Sequence, residues 1–163
     1  REMGPLITAI IVAGRSAAAI AAEVATMNVS EEMAALETMG IEPVRYVVVP
    51  KFQALTLTMP ALTVFANVVG ILGGAAVAYS YLDIGPLIYL RQAWGALVLL
   101  DIFTGLLKSV VFAWLIVLIG AHSGFQAHGG AESVGRVTTE SVVRSIFWVI
   151  VADATFSLLF YFG

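Results

Sequence analysis

Cysteine is absent from the 163 residues, which removes disulfide frameworks, thiolate metal sites and cysteine nucleophiles. Charge is scarce too. Only 12% of residues are Asp, Glu, Lys or Arg, against roughly 25% in a soluble domain. That is too little to solvate a globule of this size and argues against a soluble enzyme. A net charge of −3 with a pI near 5.2 leaves no basic surface for nucleic acid. What is abundant is apolar: 60% of residues are hydrophobic and the mean hydropathy is +0.97, which excludes disorder. A polytopic membrane protein remains. Arg1 is not an initiator residue, so the chain is expected to be a fragment or a processed product. Residues 3–26 are too long for a signal peptide and are interrupted by Arg15 and Glu23.

A bilayer span needs about 20 mostly apolar residues. Phe52–Leu82 holds 31 residues without a charge between Lys51 and Asp83. Ala93–Ala121, interrupted by Asp101 and Lys108, and Ser145–Gly163, carrying Asp153, predict two more spans. Met3–Thr26 predicts another, since everything between its charges is small or aliphatic. The expected fold is all-α, with four transmembrane helices in a single domain over residues 1–163. No ten-residue alternation of the outer-membrane-barrel type occurs. Gly14, Ala18 and Ala22 in the first span, and Gly70 and Gly74 in the second, form small-residue stripes suited to close helix contact.

Residues 30–40 differ in kind. Asn28 or Ser30 can cap a helix, Glu31 and Glu32 favour its positive end, Gly40 can stop it and Pro43 forbids continuation. Met33, Leu36, Met39 and Gly40 fall on one face, with Glu32 and Glu37 elsewhere. The acidic polar face suits a partner's groove better than a lipid surface, where Lys or Arg is the rule. Loops 27–51 and 122–136 share a side and hold Arg45, Lys51 and Arg136, against Arg1 and Arg91 opposite. By the positive-inside rule the first set is cytoplasmic.

No nucleotide motif is present. Gly105–Ser109 ends like a P-loop but lacks its Gly-Lys pair. His122 and His128 lie in a loop-like stretch without metal-ligand spacing, and no GxSxG surrounds Ser123. The informative residues are the intramembrane charges Arg15, Glu23, Asp101, Lys108 and Asp153. Each costs about 2.5–3.5 kcal/mol at mid-bilayer on insertion scales, so each must face protein or water. Asp101 and Lys108, seven apart, share a stripe at roughly 10 Å of helix rise, too far apart for a direct pair without bending, and Asp101 is expected to offset the Lys108 charge. Asp153 stands alone in its span. The polar wall of a translocation path competes with helix–helix ion pairing as the reading of these groups. The Arg1–Glu2 pair at the start of the first span poses the same choice.

These residues add up to a pattern. Arg1–Glu2–Met3–Gly4–Pro5, Ala13–Gly14–Arg15, Ala22–Glu23 and Met27 resemble the signature of the MlaE-type permease family. Its Glu-x-x-Ala-Leu-x-x-Met-Gly-x-x-Pro stretch is matched by Glu32, Ala35, Leu36, Met39, Gly40 and Pro43. Leu106–Leu107–Lys108–Ser109 and Gly135–Thr139 match two later runs, with Val137 where the family usually has Ala.

The resemblance implies the permease subunit of an ATP-driven transporter moving phospholipid between the two membranes of a bacterium, seated in the inner membrane. It implies a second permease copy and ABC ATPase subunits that carry the ATP and Mg2+. It also implies a periplasmic Mce-domain protein and, in many systems, a STAS-domain protein on the ATPase. Residues 30–40 would be the coupling helix, docking through Glu32, Met33, Leu36, Glu37, Met39 and Gly40. Arg1, Glu2, Met3 and Lys108 would contact lipid, and the chain itself would hold no cofactor or metal and catalyse no covalent step. The family's N-terminal interfacial helix and first span are missing from the match. Rival readings are a scaffold that anchors an ATPase or Mce protein, and an intramembrane enzyme using Asp101 and Asp153.

Overall fold

The computed structural model describes residues 2–82 and 84–162. Among these residues four helices are long and apolar enough to cross a membrane. They are α1 (Met3–Val29), α3 (Val44–Tyr81), α5 (Leu99–Phe125) and α6 (Ala131–Phe162). Two short helices connect them, α2 (Glu32–Thr38) and α4 (Pro86–Ala96). The chain is therefore an all-α, multi-pass membrane fold.

The spans agree with the sequence in number and differ at their ends. The second begins at Val44, eight residues before Phe52, because Arg45 and Lys51 sit on helical turns that lead out of the apolar zone. The third begins at Leu99 rather than Ala93. Leu97 and Val98 are extended and break the helix inside an unbroken apolar run, so Ala93–Ala96 belong to α4. The last begins at Ala131, well before Ser145, and Gly163 lies outside the described residues.

The core is built on alanine. Ala9, Ala13, Ala17, Ala21 and Ala25 are all fully buried, whereas Gly14 is exposed and Ala18 and Ala22 are half-buried. The close-contact stripe thus lies one position before the expected Gly14–Ala18–Ala22. A π-helical turn at Ala13–Ala17 is wider than an α-turn and lets four-residue steps hold one face there. Gly120 and Gly124 of α5 pack on this stripe. A Cβ on Gly124 would stand 2.9 Å from the Ala21 carbonyl and 2.6 Å from the Val24 Cβ. From α6, Ser141 donates to the Ala17 carbonyl at 3.3 Å. Helices α1, α5 and α6 therefore form the tight centre, and α3 packs on α5 through Phe52, stacked on Trp114, and the Trp114–Thr56 hydrogen bond.

One end of the bundle gathers the α1–α2 turn and the α5–α6 turn. The Asn28 amide donates to the carbonyls of Phe125 at 3.1 Å and Ala127 at 2.8 Å. Loops 27–51 and 122–136 thus share a side, as expected, but Asn28 ties them together instead of capping α2. Glu31 precedes α2 in the left-handed region at φ 61, with no side-chain cap.

Candidate functional site

Lys108 is the largest fully buried side chain in the described protein. Its Nζ lies 3.1 Å from Asp153 Oδ1 and 3.4 Å from Ser157 Oγ, both on α6, and is ion-paired with Glu2 at the start of α1. Ser157 Oγ in turn donates to Glu2 at 2.8 Å. Three helices therefore converge on one ammonium: α1 and α5 run parallel and α6 antiparallel to both, so the start of α1, the N-terminal part of α5 and the C-terminal part of α6 share one end. Exposure is graded through the cluster. Side-chain exposure is 0% at Lys108, 13% at Asp153 and 40% at Glu2, so the site is sealed at its cation and opens at Glu2.

This geometry completes one expectation and corrects another. Asp153, the only charge in residues 145–163, is paired with Lys108 of another helix. And the carboxylates that hold Lys108 are Glu2 and Asp153 from other helices, while Asp101 lies in the first turn of α5, nearly two turns away. The ammonium points across the bundle, not along its own helix. Ser157 was missed altogether, because a lone serine in an apolar run carries no signal until its partners are known. Arg1 lies outside the described residues. Met3 stands beside the mouth and is 70% exposed. On α6, one turn beyond Asp153, Phe156 helps line an apolar groove with Leu115, Trp148, Val151, Thr155 and Leu159.

Glu23 and Arg15 lie elsewhere. Glu23 pairs with Lys51 at 2.7 Å between α1 and α3, with Glu23 exposed. Arg15 is exposed on the π-turn. Among the described residues no group of three or more His, Asp or Glu side chains is placed to hold a metal. Asp153, one of the two acids of the intramembrane-enzyme reading, is bonded to the Lys108 ammonium at 3.1 Å.

At the opposite end of the bundle, α2 is seven residues long, shorter than the expected 30–40. Gly40 ends it at φ 75: Ile41 N–H bonds the Leu36 carbonyl at 2.9 Å and Gly40 N–H bonds that of Glu37 at 3.0 Å. This is a Schellman stop, for which glycine is suited by its tolerance of positive φ. The face of α2 is turned otherwise than the sequence suggested. Met33 is buried and Leu36 half-buried, packed with Ile20, Val24, Val47, Val48, Val117 and Ala121. They hold α2 on its own bundle, which takes Met33 out of a partner's reach. The outward surface is Glu31, Glu32, Ala35, Glu37, Met39 and Gly40, with Met39 71% exposed.

Comparison with known proteins bears on both ends. Residues 1–159 match the family described as Permease MlaE. A probable ABC transporter permease protein of Rickettsia prowazekii is 38% identical over 99% of this chain and 62% of its own length. One from Synechocystis is 38% identical over the whole chain and 62% of its own length. The chloroplastic protein trigalactosyldiacylglycerol 1 of Arabidopsis thaliana is 37% identical over the whole chain and 47% of its own length. The chain thus spans about three-fifths of the bacterial relatives it matches.

Proposed function

The chain belongs to the MlaE permease family, and from that premise we propose that it is the membrane-spanning part of an ATP-driven transporter that moves phospholipid. The observation that carries the reading is the Lys108 cluster. A buried ammonium with two carboxylates is costly inside a membrane protein and is weak support for stability. Its opening at Glu2, beside an exposed Met3, suits a ligand that is polar at one end and apolar at the other. A lipid phosphate would compete with Glu2 and Asp153 for the Lys108 Nζ, through charge-assisted hydrogen bonds. The carboxylates so released match a headgroup cation, which favours a zwitterionic phospholipid. The groove beside Phe156 offers an acyl chain an apolar wall. The Arabidopsis relative, whose name contains a diacylglycerol glycolipid, supports a lipid as cargo.

ATP and Mg2+ belong, in this reading, to ABC ATPase subunits that dock on the outward face of α2. Residues 27–51 and 122–136 then face the cytoplasm, and Glu2 opens toward the periplasm of a bacterial inner membrane. A second permease copy, a periplasmic Mce-domain protein and a STAS-domain protein complete the assembly.

The test is photo-crosslinking in the full-length permease with its ATPase, in phospholipid vesicles. Crosslinkers at Met3 and Phe156 are expected to yield lipid adducts that ATP diminishes. A lipid-facing control at Leu118 should yield adducts indifferent to ATP. Equal yields at all three positions would leave the chain as a scaffold for its partners, without a lipid path.

A further inference from the structure

We propose that α4 is an interfacial anchor, lying in the headgroup and upper acyl region of the leaflet at the Glu2 end of the bundle. Its eleven residues include none that is buried, although it is tied down along one side. The Tyr89 hydroxyl lies only 2.4 Å from where a Cβ on Gly74 would stand, so the helix is seated on α3 where that span has no side chain. Tyr89 and Ala93 face α3 and are half-buried.

The flank next to this seat is apolar, while Arg91 points away from α3. At 100° per residue Leu90, Trp94 and Leu87 fall within an arc of about 60°. Leu87 and Trp94 are each 81% exposed, and Ile88 is 58% exposed. Arg91 follows Leu87 at the edge of this arc and is exposed. An exposed Trp and Leu beside one Arg is the composition of a helix lying in a membrane interface. The indole sits at headgroup depth, and the guanidinium reaches lipid phosphate while its stem stays on the apolar surface. The acidic α2 has the opposite character.

The occupant follows from continuity. The exposed apolar surface of α3 that the bilayer must cover, including Val68, Val69, Leu72 and Val77, runs into α4. It resumes at once at Leu99, Leu100 and Phe103 of α5. In chain order the side of α4 that bears Leu87 and Trp94 lies between these two exposed apolar stretches, at the same end of the bundle. The inference rests on the four spans alone and holds whether or not lipid is cargo.

The chain's three tryptophans make the test direct. Full-length protein in which Trp94 is the one tryptophan kept, with Trp114→Phe, Trp148→Phe and Phe at any tryptophan outside these 163 residues, is reconstituted in phosphatidylcholine vesicles. Lipids brominated near the headgroup end of the chain are expected to quench Trp94 more than lipids brominated near the methyl end. Aqueous iodide should quench it little, and the emission should be blue-shifted from that of free tryptophan. Should the single-tryptophan variant not assemble, the quenching lost between wild type and Trp94→Phe reads the same quantity, since an 81% exposed side chain leaves the fold intact when shortened. Strong iodide quenching would put α4 in water. Protection from both quenchers would put a protein partner or a second copy on this face. Either result overturns the proposal.

Discussion

Lys108 on α5 and Asp153 on α6 lie 45 residues apart in sequence and meet at 3.1 Å in the bundle interior. With Glu2 they join three spans through one cation. Removing one member of a buried pair leaves its partner charged and unmatched, which costs about 3–5 kcal/mol, whereas replacing all members with neutral groups is often harmless.

Lys108→Met should therefore lower the thermal stability of the full-length permease sharply. Lys108→Met with Glu2→Gln and Asp153→Asn should recover most of it. ATP-driven lipid transfer should stay absent in the triple variant, because the phosphate has lost its ammonium. Recovery of transfer together with stability would reduce the cluster to a helix clamp.

The close approach of α5 to α1 makes a graded prediction. A Cβ at Gly124 would stand under 3.0 Å from both Val24 and the Ala21 carbonyl, whereas at Gly120 the nearest atom is 3.2 Å away. At Gly135 nothing lies within 4 Å. Melting temperatures should fall in the order Gly135→Ala, Gly120→Ala, Gly124→Ala, with the last the least stable. Overpacked cores typically lose about 1–3 kcal/mol. Equal melting temperatures would mean that α1 and α5 part easily.

Asn28 is the side chain that bridges the two turns at the α2 end, through the carbonyls of Phe125 and Ala127. Asn28→Ala removes both donors and leaves two part-buried acceptors, at about 1–3 kcal/mol. Hydrogen exchange should quicken in residues 125–130 and leave the middle of α5 unchanged. Uniform quickening along α5 would show that the bridge supports the whole bundle.

How far the sequence discloses this molecule depends on whether the determinant is local. Four spans were legible because bilayer length and apolar runs act residue by residue. The break at Leu97–Val98 was not, since an extended pair inside an apolar stretch changes no composition. Lys108 and Asp153 were recognisable as costly intramembrane charges. Their pairing was not, because it depends on how α5 and α6 rotate against each other. The seven-residue step from Asp101 to Lys108 put an offsetting charge on the same helix face but out of direct reach, and tertiary packing supplied the nearer Glu2 and Asp153. The Gly40 stop is local and was read correctly. The direction of the α2 face was not, because Met33, Leu36 and Met39 look alike on a helical wheel until the bundle chooses two of them.

That choice gives the last prediction its form. Leu36 packs inward on the bundle, so Leu36→Glu should unseat α2 and damage the fold before it affects any partner. Met39 is 71% exposed beside Glu32 and Glu37, so Met39→Glu should leave the fold as it is. If the outward face docks on an ATPase, Met39→Glu places one more negative charge in that contact, where a buried unmatched charge costs several kcal/mol. The variant should therefore purify with unchanged melting temperature and show weaker ATPase association and lower stimulated turnover. The surface around it is acidic, so the docking partner must be basic there, and raising salt should weaken the wild-type complex. Unchanged association in Met39→Glu would remove α2 as the coupling element and shift attention to the neighbouring α5–α6 turn that Asn28 holds beside it.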